Sequence, residues 1–329
     1  MTSEVALTGG SGFVGGHLLE TLVGAGTRVR GIVRSAEAAR IVEARGGRPV
    51  VADLFDHDAL RDALWGTSMV YHVAGVNETC VRDSTTMDRV NIDGTRAVVA
   101  AAADAGVARI VYTSSAATIG EAPGIVGTEE IVHSGEFLSP YARSKYLAEQ
   151  AAFDAARVSQ IDLVSVNPSS VQGPGRAGGS ARILLHALRS SKPLLYDTHV
   201  SIVDVADSSA AHIAAAQRGR AGERYLVSGA TITVREAIGI AQGEAGVAVD
   251  PRWVSETTMR AAVRPLAGLV HVFKPGAGIC PSLIDTLLHG HRFDASKSER
   301  DLGMVYTPIG ETFARTIEWF RSESPVSYT

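Results

Sequence analysis

Tyr141 and Lys145 are the residues whose types and spacing point most directly to chemistry. Both follow Pro140 in a segment of helical periodicity, where a separation of four residues places two side chains on one face, one turn apart. A phenol with a pKa near ~10 is a poor acid or base at neutral pH, and lowering that pKa by about three units takes about 4 kcal/mol. A neighbouring ammonium group stabilises the phenolate and contributes to such a shift. The pair therefore predicts acid–base catalysis, although a surface tyrosine and lysine on an amphipathic helix would give the same pattern.

A glycine-rich turn lies close to the amino terminus, in the run Thr8-Gly-Gly-Ser-Gly-Phe-Val-Gly15. Gly10, Gly12 and Gly15 fit the pattern G-x-G-x-x-G. Gly9 with the same two later glycines fits G-x-x-G-x-x-G equally well. Glycine frees the backbone to turn and to approach a pyrophosphate, and the helix that follows offers its amides and the positive end of its dipole. A strand before the turn and a helix after it predict dinucleotide binding, with a plain connecting turn as the structural alternative.

The elements that must position these residues alternate along the first 170 residues, which predicts an α/β fold with a Rossmann doubly wound parallel sheet. The predicted strands are Val5–Thr8, Arg28–Val33, Pro49–Val51, Met69–Val73, Arg109–Thr113 and Leu163–Val166, and the predicted helices are His17–Val23, Asp58–Leu64, Asp88–Ala105 and Tyr141–Arg157. The carboxyl ends of such strands share one edge, where ligands bind. Residues 1–170 are thus predicted to form the cofactor domain and 171–329 a smaller α/β substrate lobe, with a strand and helix returning to the first domain near 200–217. The returning strand is predicted near Ser201–Val205, and isolated strands at Tyr225–Val227 and Thr231–Thr233.

Composition excludes several classes of protein. Lys and Arg total 31 against 35 Asp and Glu, a net charge of −4, which gives no basic field for nucleic acid or an anionic membrane surface. The sequence begins without a basic and then apolar leader, and its apolar runs fall short of the ~20 residues of a membrane helix. Two cysteines, Cys80 and Cys280, exclude a disulfide framework, so a reduced cytoplasmic setting is expected and Cys80 is interpreted as a thiol.

Together, the glycine turn and the Tyr141-x-x-x-Lys145 motif resemble the extended short-chain dehydrogenase/reductases. That group includes NAD(P)-dependent sugar epimerases, dehydratases, 3β-hydroxysteroid dehydrogenases and dihydroflavonol 4-reductases, and the likeness extends over nearly the whole chain. The resemblance implies cofactor contacts at Thr8, Gly9, Gly12, Phe13, Val14, Gly15, Arg34, Asp53, Leu54, Val73, Ala74, Gly75, Thr113, Tyr141, Lys145, Asn167, Pro168 and Ser170. Asp53 has an alternative role as a turn residue.

The same resemblance implies a catalytic set of Ser115, Tyr141 and Lys145. Ser115 matches the family serine better than its neighbour by its distance from Gly120, and its hydroxyl would hold the substrate oxygen. Tyr141 would pass the proton, and Lys145 would tune Tyr141 and bind the nicotinamide ribose. Sugar dehydratases place an Asp-Glu pair directly after this serine, whereas this chain has Ala116-Ala117, which argues against dehydration.

Arg34 follows the second predicted strand, where NAD-preferring relatives carry a carboxylate for the ribose diol. The arginine resembles the one with which dihydroflavonol-reductase-like members contact the 2′-phosphate of NADP, because a planar guanidinium suits phosphate. A solvated arginine at a strand end is the alternative. The sequence therefore favours NADP(H) over NAD(H), and an oxidoreductase that interconverts a small carbonyl compound and its alcohol. An NAD-dependent sugar-nucleotide epimerase and a catalytically silent NADP-binding sensor or scaffold are the other hypotheses.

The predicted substrate contacts include Asn77, Gln172 and Arg176, besides Ser115 and Tyr141. Apolar lining is expected from Phe137, Leu138, Val171, Leu194 and Tyr196, which favours an apolar ketone or aldehyde.

The remaining histidines and helices have structural interpretations. His72 and His212 are interpreted as satisfied core histidines. No metal is expected, because His289 and His291 have no further carboxylate or cysteine at ligand spacing. The two long Ala-rich helices could pair with a second copy in a homodimer, or pack in the core.

Overall fold

The computed structural model describes residues 4–176, 181–190, 192–274 and 276–323. The strands in these ranges are β1 Glu4–Thr8, β2 Arg28–Val33, β3 Arg48–Val51, β4 Met69–His72, β5 Arg109–Thr113, β6 Asp162–Pro168, β7 Ser170–Gln172, β8 Leu194–Tyr196, β9 His199–Asp204, β10 Arg224–Val227, β11 Ala230–Thr233 and β12 Arg252–Val254. The helices are α1 Phe13–Gly24, α2 Ala36–Ala44, α3 His57–Leu64, α4 Thr85–Asp88, α5 Gly94–Asp104, α6 Pro140–Ser159, α7 Ala181–Arg189, α8 Val205–Arg218, α9 Val234–Ala245, α10 Glu256–Thr258, α11 Arg264–Phe273, α12 Pro281–His289, α13 Ser296–Leu302 and α14 Ile309–Glu323. Single π-helical turns join α4 to α5 and α10 to α11.

Seven parallel strands form the main sheet in the order β10-β6-β5-β4-β1-β2-β3. Side chains alternate between its two faces, as the pleat requires. Leu7 and Val111 pack with α1 and α8 on one face, while Ala6 and Ile110 pack with α3, α5 and α6 on the other. The predicted α/β Rossmann class is confirmed, and the six strands predicted in the first 170 residues all lie in this sheet.

The predicted return of the chain to this sheet is correct for the helix and wrong for the strand. Helix α8 packs against β5 and β6. The strand predicted near Ser201–Val205 corresponds to β9, which pairs with β7 and β11 in a separate three-stranded sheet. Strand β10 returns instead, because its backbone pairs in parallel with β6.

The interpretation of Cys80 as a thiol is also wrong, because its partner is Cys280. The two cysteines form a disulfide, although 200 positions separate them in sequence. The segment after β4 and the start of α12 meet at the rim of the cavity, where the two Cα atoms lie 5.5 Å apart. Sequence spacing alone gives no sign of this proximity.

The Ala-rich helices α5 and α6 pack on each other within the chain. Val98, Ala102, Ala148 and Ala152 are fully buried there, so core packing accounts for their small apolar residues. Among the described residues, no helix has the length and hydropathy needed to cross a membrane.

Candidate active site

The predicted catalytic residues meet at the carboxyl edge of the main sheet. Ser139 caps α6 by accepting a hydrogen bond from the amide of Ala142 at 3.1 Å, and Pro140 begins the helix. This start places Tyr141 in the first turn and Lys145 one turn later, both lining a cavity of about 2160 Å³. Ser115 follows β5 and also lines the cavity, and its hydroxyl is hydrogen-bonded with Tyr141.

The environments of Tyr141 and Lys145 shift their titration in opposite directions. Burial raises the pKa of Tyr141, while the hydrogen bond with Ser115 and the positive charge of Arg176 counteract that rise. Burial lowers the pKa of Lys145 to about 8, against the opposing effect of the negative Glu149. The protonation states of Tyr141 and Lys145 therefore depend on their burial and on the charged and polar groups beside them.

A buried amide that sequence reasoning did not assign to the site holds this region together. Asn91 accepts a hydrogen bond from the amide of Val76 at 2.7 Å and donates to the Val76 carbonyl and to Ser144 Oγ, both at 3.0 Å. It therefore fixes the loop after β4 against α6. A Cβ on Gly75 in that loop would lie 3.1 Å from Asn91 Oδ1 and 4.0 Å from Lys145 Nζ, so the loop backbone passes close to the catalytic lysine.

The glycine turn adopts the register of Gly9, Gly12 and Gly15. Gly9 has φ +79°, and a Cβ there would lie 2.6 Å from the backbone nitrogen of Ala74. A Cβ on Gly15 would lie 2.2 Å from the Gly9 carbonyl oxygen. A Cβ on Gly10 would lie 3.3 Å from its nearest neighbour, the side chain of Leu7, so glycine is needed less at that position. Side chains are therefore excluded where β1 turns into α1, and the backbone of this turn lines the cavity.

Two further contacts shape this turn. Arg45, which the sequence did not single out, donates to the carbonyls of Gly10 and Gly12 at 3.1 and 3.0 Å. Thr8, buried at the end of β1, has its hydroxyl 2.7 Å from His72 Nδ1 and accepts from the amide of Ala74 at 3.2 Å. These bonds hold the turn from both sides.

Most of the other predicted cofactor residues line the same cavity. Arg34 is exposed at the end of β2, and Asp53 lies at the wall while accepting a hydrogen bond from the Phe55 amide at 2.9 Å. Asp53 therefore does form the turn that was its alternative role. The remaining predicted cofactor residues at the wall are Phe13, Val14, Leu54, Val73, Ala74, Gly75, Thr113, Pro168 and Ser170.

Asn167 is the exception. Its side chain is fully buried behind the cavity, where Nδ2 donates to Glu149 Oε2 at 2.5 Å and to Thr118 Oγ1 at 3.0 Å. Glu149 also pairs with Arg224 at 3.3 Å. The side chain of Asn167 thus belongs to a buried polar network beneath the active site, away from the surface on which a cofactor contact was predicted.

The substrate side of the cavity combines polar and apolar groups. Asn77, Gln172 and Arg176, the predicted substrate contacts, line this cavity, and the positive charge of Arg176 acts on Tyr141. The five predicted apolar residues, Phe137, Leu138, Val171, Leu194 and Tyr196, are also at the wall.

His72 and His212 are buried core histidines, as predicted. His72 bridges Thr8 and Thr95, and burial lowers its pKa to about 3. His212 lies between the Ser208 carbonyl and the Thr113 hydroxyl, and burial lowers its pKa to about 4.

The expectation that no carboxylate accompanies His289 and His291 is wrong. Glu121, about 170 positions earlier, has its Oε1 2.6 Å from His291 Nδ1 and 3.7 Å from His289 Nε2. Burial favours the neutral form of Glu121, but its interactions with His289 and His291 hold its pKa below the usual range. Fixed spacing along the chain could not reveal this group, because the fold brings two distant segments together.

A parallel sheet in this order, a glycine turn after its first strand and a Ser-Tyr-Lys set at its carboxyl edge define a short-chain dehydrogenase/reductase architecture of the extended type. The chain belongs to the NAD dependent epimerase/dehydratase family, whose family model matches residues 5–228.

Individual relatives extend this likeness. A Synechocystis protein named as a dihydroflavonol 4-reductase is 31% identical over 336 aligned positions, covering 97% of this chain and 95% of that protein. Cinnamoyl-CoA reductase 1 of Petunia hybrida is 32% identical over 240 positions, covering 68% of this chain and 71% of that protein. The crystal structure of gox2253 has a TM-score of 0.84 and 29% identity, covering 99% of this chain and 100% of its own.

Proposed function

We propose that this protein is an NADP(H)-dependent oxidoreductase that reduces a small apolar ketone or aldehyde to the alcohol and oxidises the alcohol in reverse. The observation that carries the proposal is the convergence of Ser115, Tyr141 and Lys145 on the cavity that also contains the glycine turn. Membership of an NAD-dependent family and two curated relatives named as reductases support an oxidoreductase.

The residues fit a nicotinamide dinucleotide. A Cβ on Gly9 would clash with the Ala74 backbone and one on Gly15 with the Gly9 carbonyl, so only glycine lets β1 turn into α1 this tightly, and the turn that lines the cavity suits a pyrophosphate. The planar guanidinium group of Arg34, at the end of β2, can bind a 2′-phosphate through two hydrogen bonds, which favours NADP(H) over NAD(H). When bound, this cofactor supplies or accepts the hydride.

The catalytic side chains bind the substrate oxygen and exchange a proton with it. The Ser115 hydroxyl donates a hydrogen bond to that oxygen and holds it beside Tyr141. The Tyr141 phenol gives its proton to the oxygen during reduction and takes it back during oxidation. The Lys145 ammonium stabilises the resulting phenolate. Charge on the oxygen is therefore neutralised as it develops.

The lining of the cavity supports an apolar substrate. Phe137, Leu138 and Val171 face the space beyond the catalytic set, and burying such a surface against an apolar compound is favourable. Ala116 and Ala117 occupy the positions after Ser115, so no carboxylate pair for dehydration is present there.

The direct test is a screen of aliphatic and aromatic ketones and aldehydes for NADPH consumption by the purified protein, with NADH in parallel. We expect turnover of apolar carbonyl compounds with NADPH ahead of NADH. Faster turnover with NADH would overturn the assignment of Arg34. Copurifying NAD without net consumption of added NADPH would favour the sugar-nucleotide epimerase instead.

A further inference from the structure

Glu121, His289 and His291 form a compact group of ligand-type side chains outside the Ser-Tyr-Lys set. One nitrogen or oxygen atom from each lies within 4.8 Å of the other two. The side chains of Glu121 and His289 are only 2% and 9% exposed, and that of His291 is 25% exposed. All three line the large cavity, so the group is buried in the protein yet open on one side.

Two glycines set the backbone that presents this group. Gly290, between the two histidines, has φ +66°, and a Cβ on it would lie 2.4 Å from Thr198 Oγ1. The imidazole rings on either side converge, with their centroids 5.0 Å apart. Gly120, directly before Glu121, has φ +68° and packs on the ring of His133. Both segments are therefore held in backbone conformations that other residues rarely adopt.

One of the two histidine contacts with Glu121 is of hydrogen-bond length, and the other is longer. His291 Nδ1 lies 2.6 Å from Glu121 Oε1, a normal charge-assisted hydrogen bond. His289 Nε2 lies 3.7 Å from the same oxygen, beyond hydrogen-bond length. The ligand atoms of a tetrahedral zinc ion lie roughly 3.3 Å apart, given zinc–nitrogen distances of about 2.0–2.1 Å. The two observed distances lie on either side of that value, within reach of small side-chain rotations.

We propose that Glu121, His289 and His291 bind one zinc ion in the wall of the cavity. Two imidazoles and one carboxylate are a donor set that zinc uses when a fourth position stays open to water or another ligand. Imidazole nitrogen selects against magnesium and calcium, which prefer oxygen. The open side of the group faces the cavity, so the fourth position is accessible to solvent or to an oxygen of a bound compound.

The test measures zinc binding to the full-length protein after removal of bound metals with a chelator, by competition with a chromophoric zinc indicator. We expect one high-affinity zinc ion per chain. Glu121→Gln and His289→Gln should each weaken it by at least about 100-fold, since loss of a ligand exceeds loss of an outer-shell partner. His57→Gln is the matched control, because His57 pairs with Asp104 at 2.9 Å on the surface. This control should bind zinc as the wild type does.

X-ray absorption at the zinc edge of the wild-type protein provides a readout that does not depend on variant folding, and it should show two imidazole ligands. Absence of stoichiometric zinc, or zinc binding that is unchanged in both variants, would overturn the proposal. The readout is the metal itself, so the outcome is independent of the proposed reductase activity.

Discussion

Lys145 donates a hydrogen bond from Nζ to the main-chain carbonyl of Thr113 at 2.7 Å. The Thr113 hydroxyl is in turn 2.7 Å from Nε2 of the buried His212. The ammonium group on α6 is thereby held against the carboxyl end of β5, close to the loop after β4. The partner of the ammonium group in this contact is an uncharged main-chain carbonyl, which leaves its positive charge available to the site.

The pH dependence of catalysis should reflect this lysine. Because burial lowers the pKa of Lys145 to about 8, its charge is largely present at pH 7 and is lost as the pH rises through about 8. The kcat/KM for carbonyl reduction should fall over the same range. Glu149 opposes the shift, so Glu149→Gln should move the midpoint of the pH profile to lower pH. A midpoint that stays in place would contradict the assignment.

Removal of the phenol hydroxyl should abolish most of the activity. Tyr141→Phe is expected to lower kcat by about 10²–10⁴-fold, the usual contribution of a positioned proton donor. Tyr146→Phe is the matched control, because Tyr146 lies on the same helix and packs on His133 and Phe137. Identical activity of Tyr141→Phe and the wild type would contradict the role of Tyr141 as the proton donor.

Arg34 should determine the choice between the two nicotinamide dinucleotides. A hydrogen-bonded ion contact contributes about 1.5–3 kcal/mol, so Arg34→Gln should raise the KM for NADPH by roughly 10–150-fold and leave that for NADH unchanged. Arg157→Gln, at an exposed position 3.6 Å from Asp154, should leave both unchanged. Steady-state kinetics with each cofactor distinguish the outcomes. An equal change in the KM values for NADPH and NADH would show that Arg34 does not bind the 2′-phosphate.

The glycine turn should tolerate a methyl group at one position and reject it at another. Alanine normally stabilises a helix over glycine by about 1 kcal/mol. At Gly15, however, the new Cβ would lie 2.2 Å from the Gly9 carbonyl oxygen. We expect Gly15→Ala to destabilise the fold by about 1–3 kcal/mol and to weaken dinucleotide binding. Gly10→Ala should do neither, because its first neighbour is the flexible end of Leu7 at 3.3 Å. Chemical denaturation and cofactor titration measure both effects, and equal behaviour of the two variants would contradict the register.

Features that depend on local sequence could be predicted, and those that depend on distant contacts could not. The glycine turn after β1 and the placement of Tyr141 and Lys145 one turn apart on α6 follow from spacing within short segments, so the sequence predicts both, although it leaves the register of the turn open. Arg45 reaches the carbonyl of Gly10 across 35 positions, and no pattern along the chain records that contact. The family resemblance likewise implies a cofactor contact at Asn167, because the burial of its amide against Glu149 depends on how α6 packs on β6 and cannot be seen along the chain.

The disulfide between Cys80 and Cys280 separates the chain into a covalently closed ring and two segments outside that ring. It closes part of the chain into a ring that contains the catalytic serine, tyrosine and lysine together with Glu121. Gly9 and Gly15 lie outside that ring, on the amino-terminal segment that is bonded to the ring through the backbone at Cys80 and pairs with it where β4 lies beside β5. A single cut of the backbone inside the ring would leave all of the chain in one molecule, whereas a cut between the turn and Cys80 would release the segment that carries the glycine turn.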